Sequence, residues 1–316
     1  MFLLLSYLIS LAVSDVSMDG TDLKITDPEA QNIQMATVAQ HTTATTCTIS
    51  STKSVGVGQQ AFSQLTSLKT VTITAPEIVI SNQGFQQSGI SGLLSLKATG
   101  SVTIGKTAFI SATVGDIYIE AGGDINLYEQ AFQEITKAAN LTLHSGRNIT
   151  IGKTCFITSP IESINFIAQE NITLIQQAFQ QCPVITNLYM ESINGGITIG
   201  LDCFIKASIN NVTLLANLEV NIEQQAMQQV DNFETLYVET NGNFISGLTA
   251  FIASTIQTFE IHSGGNVSFL QQSFQETKKL ANFSVYANDT IDFGHSSFIQ
   301  STVNSMYLSS NGPIYF

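Results

Sequence analysis

Apolar and polar positions along this chain repeat with a period of 23 to 25 residues. The anchor is a Phe preceded by a small residue, at Phe62, Phe85, Phe109, Phe132, Phe156, Phe179, Phe204, Phe251, Phe274 and Phe298, with Met227 in the one gap. Seven positions ahead of every anchor stands an apolar residue, as in Val102, Ile125, Ile149 and Ile172. Eight to eleven residues after it comes an apolar-x-apolar triplet such as Ile117-Tyr118-Ile119 or Leu188-Tyr189-Met190. Alternation with period two predicts strands, here two short ones per repeat. Gly and Asn clusters between them, Ala121-Gly122-Gly123-Asp124 and Ser263-Gly264-Gly265-Asn266 among them, are expected to supply the positive φ angles of turns. Each repeat therefore reads strand, turn, strand and Phe-bearing bend or helical turn.

A finer alternation overlies this one. Coils of the type Gly105-Lys106-Thr107-Ala108-Phe109-Ile110 alternate with Gln-rich ones such as Glu129-Gln130-Ala131-Phe132-Gln133, so the full unit is a doublet of 47 or 48 residues. The triplet begins one residue later in the Gln-rich coils, which predicts a slightly longer helical turn there. A single coil cannot bury its own apolar side, so the coils must stack, Phe over Phe, into one elongated core. The fold class that follows is a β-rich repeat solenoid of about eleven coils over residues 50–316, behind an N-terminal cap region at 15–49. Residues 1–14 read as a signal peptide: the apolar run Phe2 to Val13 is too short to span a bilayer and ends in Ala12-Val13-Ser14. A last strand, Ile314-Tyr315-Phe316, arrives on schedule without its bend, so the array is expected to be uncapped there and to continue, with any membrane anchor, beyond Phe316.

The string Ile-Gly-x-x-Ala/Cys-Phe at Ile104 to Phe109, Ile151 to Phe156 and Ile199 to Phe204, with Ala178-Phe179-Gln180-Gln181-Cys182, resembles the BspA-like class of leucine-rich repeats from about residue 50 to 316. It departs from that class in lacking a Pro after the strand, in having Cys182 as the single Cys of its site, and in the doublet. The resemblance implies a surface antigen or adhesin of the kind found on anaerobic bacteria and mucosal protists.

Composition narrows the functional classes. The net charge is −13 with a single Arg, Arg147, which excludes the clustered cations that phosphate backbones and anionic membrane surfaces require. A membrane is expected to be reached only through an anchor outside this chain. No Asp-x-Asp-x-Asp loop or zinc spacing is present, so neither a metal nor a cofactor is expected. Cys155 and Cys203 occupy equivalent positions two coils apart, about 9–10 Å, beyond disulfide reach, and are expected not to be bonded to each other.

Candidate binding residues come from the middle of the first strand, which points away from the core. That column holds Tyr118, Tyr189, Tyr237 and Tyr307, and exposed Tyr is a common anchor for protein or sugar. Tyr is also favoured on an open strand face by its β-propensity alone. A second column, Thr103, Asn126, Thr150, Thr173, Thr198 and Asn221, reads as a hydrogen-bonding ladder that Gly56, Val79 and Ile245 interrupt. Seven Asn-x-Ser/Thr sequons, at Asn140, Asn148, Asn171, Asn211, Asn266, Asn282 and Asn288, lie at or beside predicted turns and are glycosylation candidates in a secreted eukaryotic protein. No catalytic residue is expected. A β-helix enzyme acting on polysaccharide would cluster carboxylates on one sheet, whereas the outward strand positions read here carry isolated acids, Glu260 and Asp292. His144 and His262 follow the triplets and read as turn residues. The expected function is an extracellular or cell-surface protein that presents a sheet face to a protein or glycan on another cell or matrix; the alternative is a structural or antigenic spacer without a specific ligand.

Overall fold

A computed structural model of the chain describes residues 15–26, 33, 38, 40–63, 65–231 and 233–316. The expected signal peptide lies outside the described residues. Among those described, fourteen strands form one sheet and twelve form a second, each running the length of a solenoid of about twelve turns. All pairings are parallel except the first, where Asp15–Asp19 returns antiparallel on Asp22–Thr26. The cap region thus already builds the long sheet, through Asp22–Thr26 and Thr46–Ser50.

One coil illustrates all. Thr113–Ala121 lies in the long sheet, Ile125–Leu127 in the short sheet, and a six-residue bend over 129–134 returns the chain. The short-sheet strands from Val55–Val57 to Ile291–Phe293 have three residues, as expected, but from Gly89–Ala98 onward the long-sheet strands have eight to ten. They are longer than the apolar triplet because the chain stays extended on both sides of it: in Ala138–Ser145 the buried Ser145 continues the alternation of Leu141 and Leu143, Ala138 is buried out of that phase, and the two pair with Ala168 and Ile161.

Among the described residues no helical turn forms in either kind of coil. In both, the bend has two non-Gly residues at positive φ, Thr107 and Ser111 (53° each) around Phe109, Gln130 and Glu134 (58° and 56°) around Phe132. Each such residue costs roughly 1–2 kcal/mol. The alternation turns every second N–H toward the next coil: those of Thr107, Phe109 and Ser111 donate to the carbonyls of Glu129, Ala131 and Gln133 at 3.3, 2.7 and 3.1 Å. A helix would spend those donors internally and leave its neighbour unpaired. The extra residue of the Gln-rich coils falls after the bend, between Glu134 and the strand that starts at Ala138.

The turn glycines also act differently from expectation. Among the described glycines only Gly20 has positive φ; Gly122, Gly123, Gly264 and Gly265 do not. Their role is close approach, since a Cβ on Gly123 would lie 2.6 Å from Ser101 Oγ and one on Gly122 would fall on the Thr99 carbonyl oxygen. Asn at these turns bonds between coils instead of adopting a left-handed conformation. Asp124 Oδ1 accepts from Asn148 N at 3.1 Å, Asn148 Oδ1 from Asn171 N at 3.0 Å, and Asn171 Oδ1 from Gly196 N at 3.0 Å.

Inside, the anchor rings stack with centroids 4.5 to 5.2 Å apart and planes within 10°, interrupted where Met227 stands. The spacing is that of the strands, so the Phe column follows from the sheet repeat. All four cysteines are buried and unbonded. Burial pushes the Cys47 thiol up to about 12 and the other three further in the same direction. Cys182 donates to the Phe156 carbonyl at 3.2 Å, the bond that Ser159 and Ser254 make through hydroxyls to the anchor carbonyl of the coil before. It is a packing residue and a donor, with its thiol protonated.

Candidate functional site

The outward face of the long sheet is where side chains stand free of the core. Parallel pairing without register shift from Thr113–Ala121 to Val303–Ser310 lines up Tyr118, Thr142, Asn165, Tyr189, Thr213, Tyr237, Glu260, Ser284 and Tyr307 in one column. Tyr118, Tyr189 and Tyr237 are half-buried, while Tyr307 is 54% exposed.

Because the strands are long, a second outward column runs two residues further on and holds Lys97, Glu120, His144, Ile167, Glu191, Leu215, Glu239, His262 and Tyr286. His144 and His262 are therefore strand residues, not turn residues. Each of three tyrosines donates its phenol hydrogen to the carboxylate beside it, Tyr118 to Glu120 at 3.0 Å, Tyr189 to Glu191 at 2.7 Å and Tyr237 to Glu239 at 2.8 Å. Glu260 bonds His262 in the same way at 2.7 Å. Glu260 is thus not isolated, since its strand lies directly beside the one that carries Glu239.

Across strands, the rings join into a strip. Tyr237 meets His262 at 5.7 Å, His262 stacks on Tyr286 at 4.5 Å, and Tyr286 meets Tyr307 at 5.4 Å. A depression of about 380 Å³ beside it is lined by Glu239, Asn241, His262, Tyr286 and Asn288 among others. Sequence reasoning missed His262, Tyr286 and the three Tyr-bonded carboxylates because it followed the apolar triplet alone. The signal was there as Tyr-x-Glu, repeated at Tyr118, Tyr189 and Tyr237.

Burial and the neighbouring carboxylate raise all three phenols, Tyr189 and Tyr237 to about 12. Below pH 10 the proton is bound in folded and unfolded chains alike and the bonds stabilise fully; between pH 10 and 12 the unfolded phenols ionise first, so this stabilisation falls as pH rises. Phenolate absorbance should accordingly show a late fraction near pH 12 that disappears when Tyr189 and Tyr237 are both replaced by Phe. An unchanged titration curve would mean the phenol–carboxylate bonds are not made.

A larger depression, about 530 Å³, lies over the short sheet along Asn126, Thr150, Thr173 and Thr198. Its rim residues Asp124, Asn148 and Asn171 are occupied in the ladder between coils, which leaves the long-sheet strip with the freer side chains.

The sequons divide by location. Asn140, Asn211 and Asn282 sit within strands on the long-sheet face, two residues ahead of the tyrosine column, and not at turns. Asn148, Asn171 and Asn266 belong to the turn ladder; Asn148 Nδ2 donates to both Asp124 and Glu170 at 3.0 Å, so a glycan there would displace one bond. Asn282 and Asn288 are exposed. Among the described residues no group of three His, Cys, Asp or Glu stands close enough to hold a metal ion.

The BspA type leucine-rich repeat region matches in six copies, over residues 31–122, 55–188, 102–220 and 197–314. The chain belongs to the BspA-type leucine-rich-repeat family. No curated protein and no solved structure matches it. The stacked coils carrying Ile-Gly-x-x-Ala/Cys-Phe are thus BspA-type repeats, in a solenoid class that is typically non-catalytic.

Proposed function

We propose that this BspA-type solenoid is an extracellular or cell-surface binding and adhesion protein whose long-sheet face meets a protein or glycan on another cell or matrix. The observation that carries this reading is the aromatic strip Tyr237–His262–Tyr286–Tyr307, four rings in mutual contact on an open face, while the anchor Phe column is packed in the core. Half-exposed aromatic rings with a polar tip supply contact area at little entropic cost, which is why they dominate binding hot spots. BspA-type proteins are commonly surface or secreted, in keeping with this reading.

Glycan and host-protein arrays probed with the native chain and with a Tyr118→Ser, Tyr189→Ser, Tyr237→Ser variant test it. Binding that falls about tenfold or more in the variant supports the face, since that ratio corresponds to about 1.4 kcal/mol. Equal binding by both, and by a Tyr237→Ser, Tyr286→Ser, Tyr307→Ser variant, would move the contact off this face, and no binding by any would leave the spacer reading in its place.

A further inference from the structure

Of the three Tyr–Glu pairs on the long sheet, one is already filled by the chain itself. Lys97, on the strand before Tyr118, holds its Nζ 5.3 Å from the centre of the Tyr118 ring and 3.6 Å from Glu120 Oε2. A ring face and a carboxylate together form a seat for one cation. The Tyr189–Glu191 and Tyr237–Glu239 pairs have the same internal bond, but the positions equivalent to Lys97 are Ile167 and Leu215. Nor is a Lys or Arg at hand on the strands around them; His262, beside Tyr237 at 5.7 Å, is engaged by Glu260 at 2.7 Å. From Ile161–Ala168 to Thr255–Ser263 the long-sheet strands carry Glu162, Glu191, Glu234, Glu239 and Glu260 and no Lys or Arg.

We propose that Tyr189–Glu191 and Tyr237–Glu239 are seats for Lys or Arg side chains of a partner polypeptide, each taking one cation as Tyr118–Glu120 takes Lys97. The proposal rests on the binding-face reading above and names its partner class, a basic segment of protein. The seats stand two strands apart, about 9.6 Å. A polyproline II segment, with three residues per turn and about 3.1 Å per residue, brings side chains three apart to one side about 9.3 Å from each other. The matching ligand is thus an extended basic segment with cations at every third residue, running along the solenoid axis. The chain's net charge of −13 favours its approach.

A fluorescent Pro-Pro-Arg repeat peptide titrated against the full chain at low salt tests this, with Pro-Pro-Gln as the control peptide. The expected result is saturable binding of the Arg peptide alone, weakened about tenfold by Glu191→Gln with Glu239→Gln. The same charge change off the face, Glu134→Gln with Glu219→Gln, should leave the affinity unchanged. Equal binding of the Gln peptide, or equal loss in the two double variants, would overturn the proposal. Should the arrays show tyrosine-dependent binding that Glu191→Gln with Glu239→Gln does not alter, the cation seats fall while the binding face stands; loss of tyrosine dependence removes both.

Discussion

Replacing Phe156 by Ala is expected to cost about 3–5 kcal/mol in unfolding free energy. The ring is fully buried and sandwiched between Phe132 at 5.1 Å and Phe179 at 5.0 Å. Those neighbours are fixed by their own coils at the strand spacing, so they cannot close on the cavity. Two stacking contacts are lost as well, each worth about 0.5–1.5 kcal/mol. Because each coil contacts only its neighbours, the damage should be local, with hydrogen exchange rising in the coils around residue 156 before the ends of the array. Phe156→Met is the control, since Met227 fills the equivalent position in this chain, and should cost less than about 1.5 kcal/mol. A urea midpoint for the Ala variant close to that of the native chain would mean the ring column carries no load.

Gly122→Ala is expected to cost about 1–3 kcal/mol or more, although it adds a single methyl group. The added carbon would fall on the carbonyl oxygen of Thr99, backbone of the preceding coil, which no rotamer change can move aside. Relief requires the two coils to part and stretches the bond from Gly122 N to the Ala98 carbonyl, now 3.0 Å. Gly20→Ala separates this cause from conformational strain, because Gly20 has φ of 64° with nothing within 4 Å of the added carbon. Only the left-handed cost of about 1–2 kcal/mol applies there. Thermal unfolding of the two variants compares them directly, and a neutral Gly122→Ala would show that coils do not touch at this turn.

The repeat was legible in advance because its cause is the core. An apolar residue seven before each Phe and a triplet after it recur in every coil, and burial of one face forces that recurrence whatever the outward residues are. Strand assignments, the stacked Phe column and the tyrosine column follow from it, and the observed register matches. The bend was not legible. Gln130, Thr107 and Glu134 have no local preference for positive φ; they adopt it because the next coil supplies acceptors for the N–H groups so turned. Strand length was missed for a similar reason, since residues such as Ser163 and Glu191 are extended by pairing with their neighbours and not by their own pattern.

The sequence by itself determined the period, the inward set of side chains and the family, because hydrophobic burial is written position by position along a chain. Tertiary structure alone decided which outward residues meet. Tyr237, His262, Tyr286 and Tyr307 lie on four different strands, and only the parallel pairing at strand spacing makes them one strip. Likewise Lys97 reaches Tyr118 and Glu120 from 21 and 23 residues away in sequence, a contact that exists because neighbouring coils bring their outward columns within reach of one another.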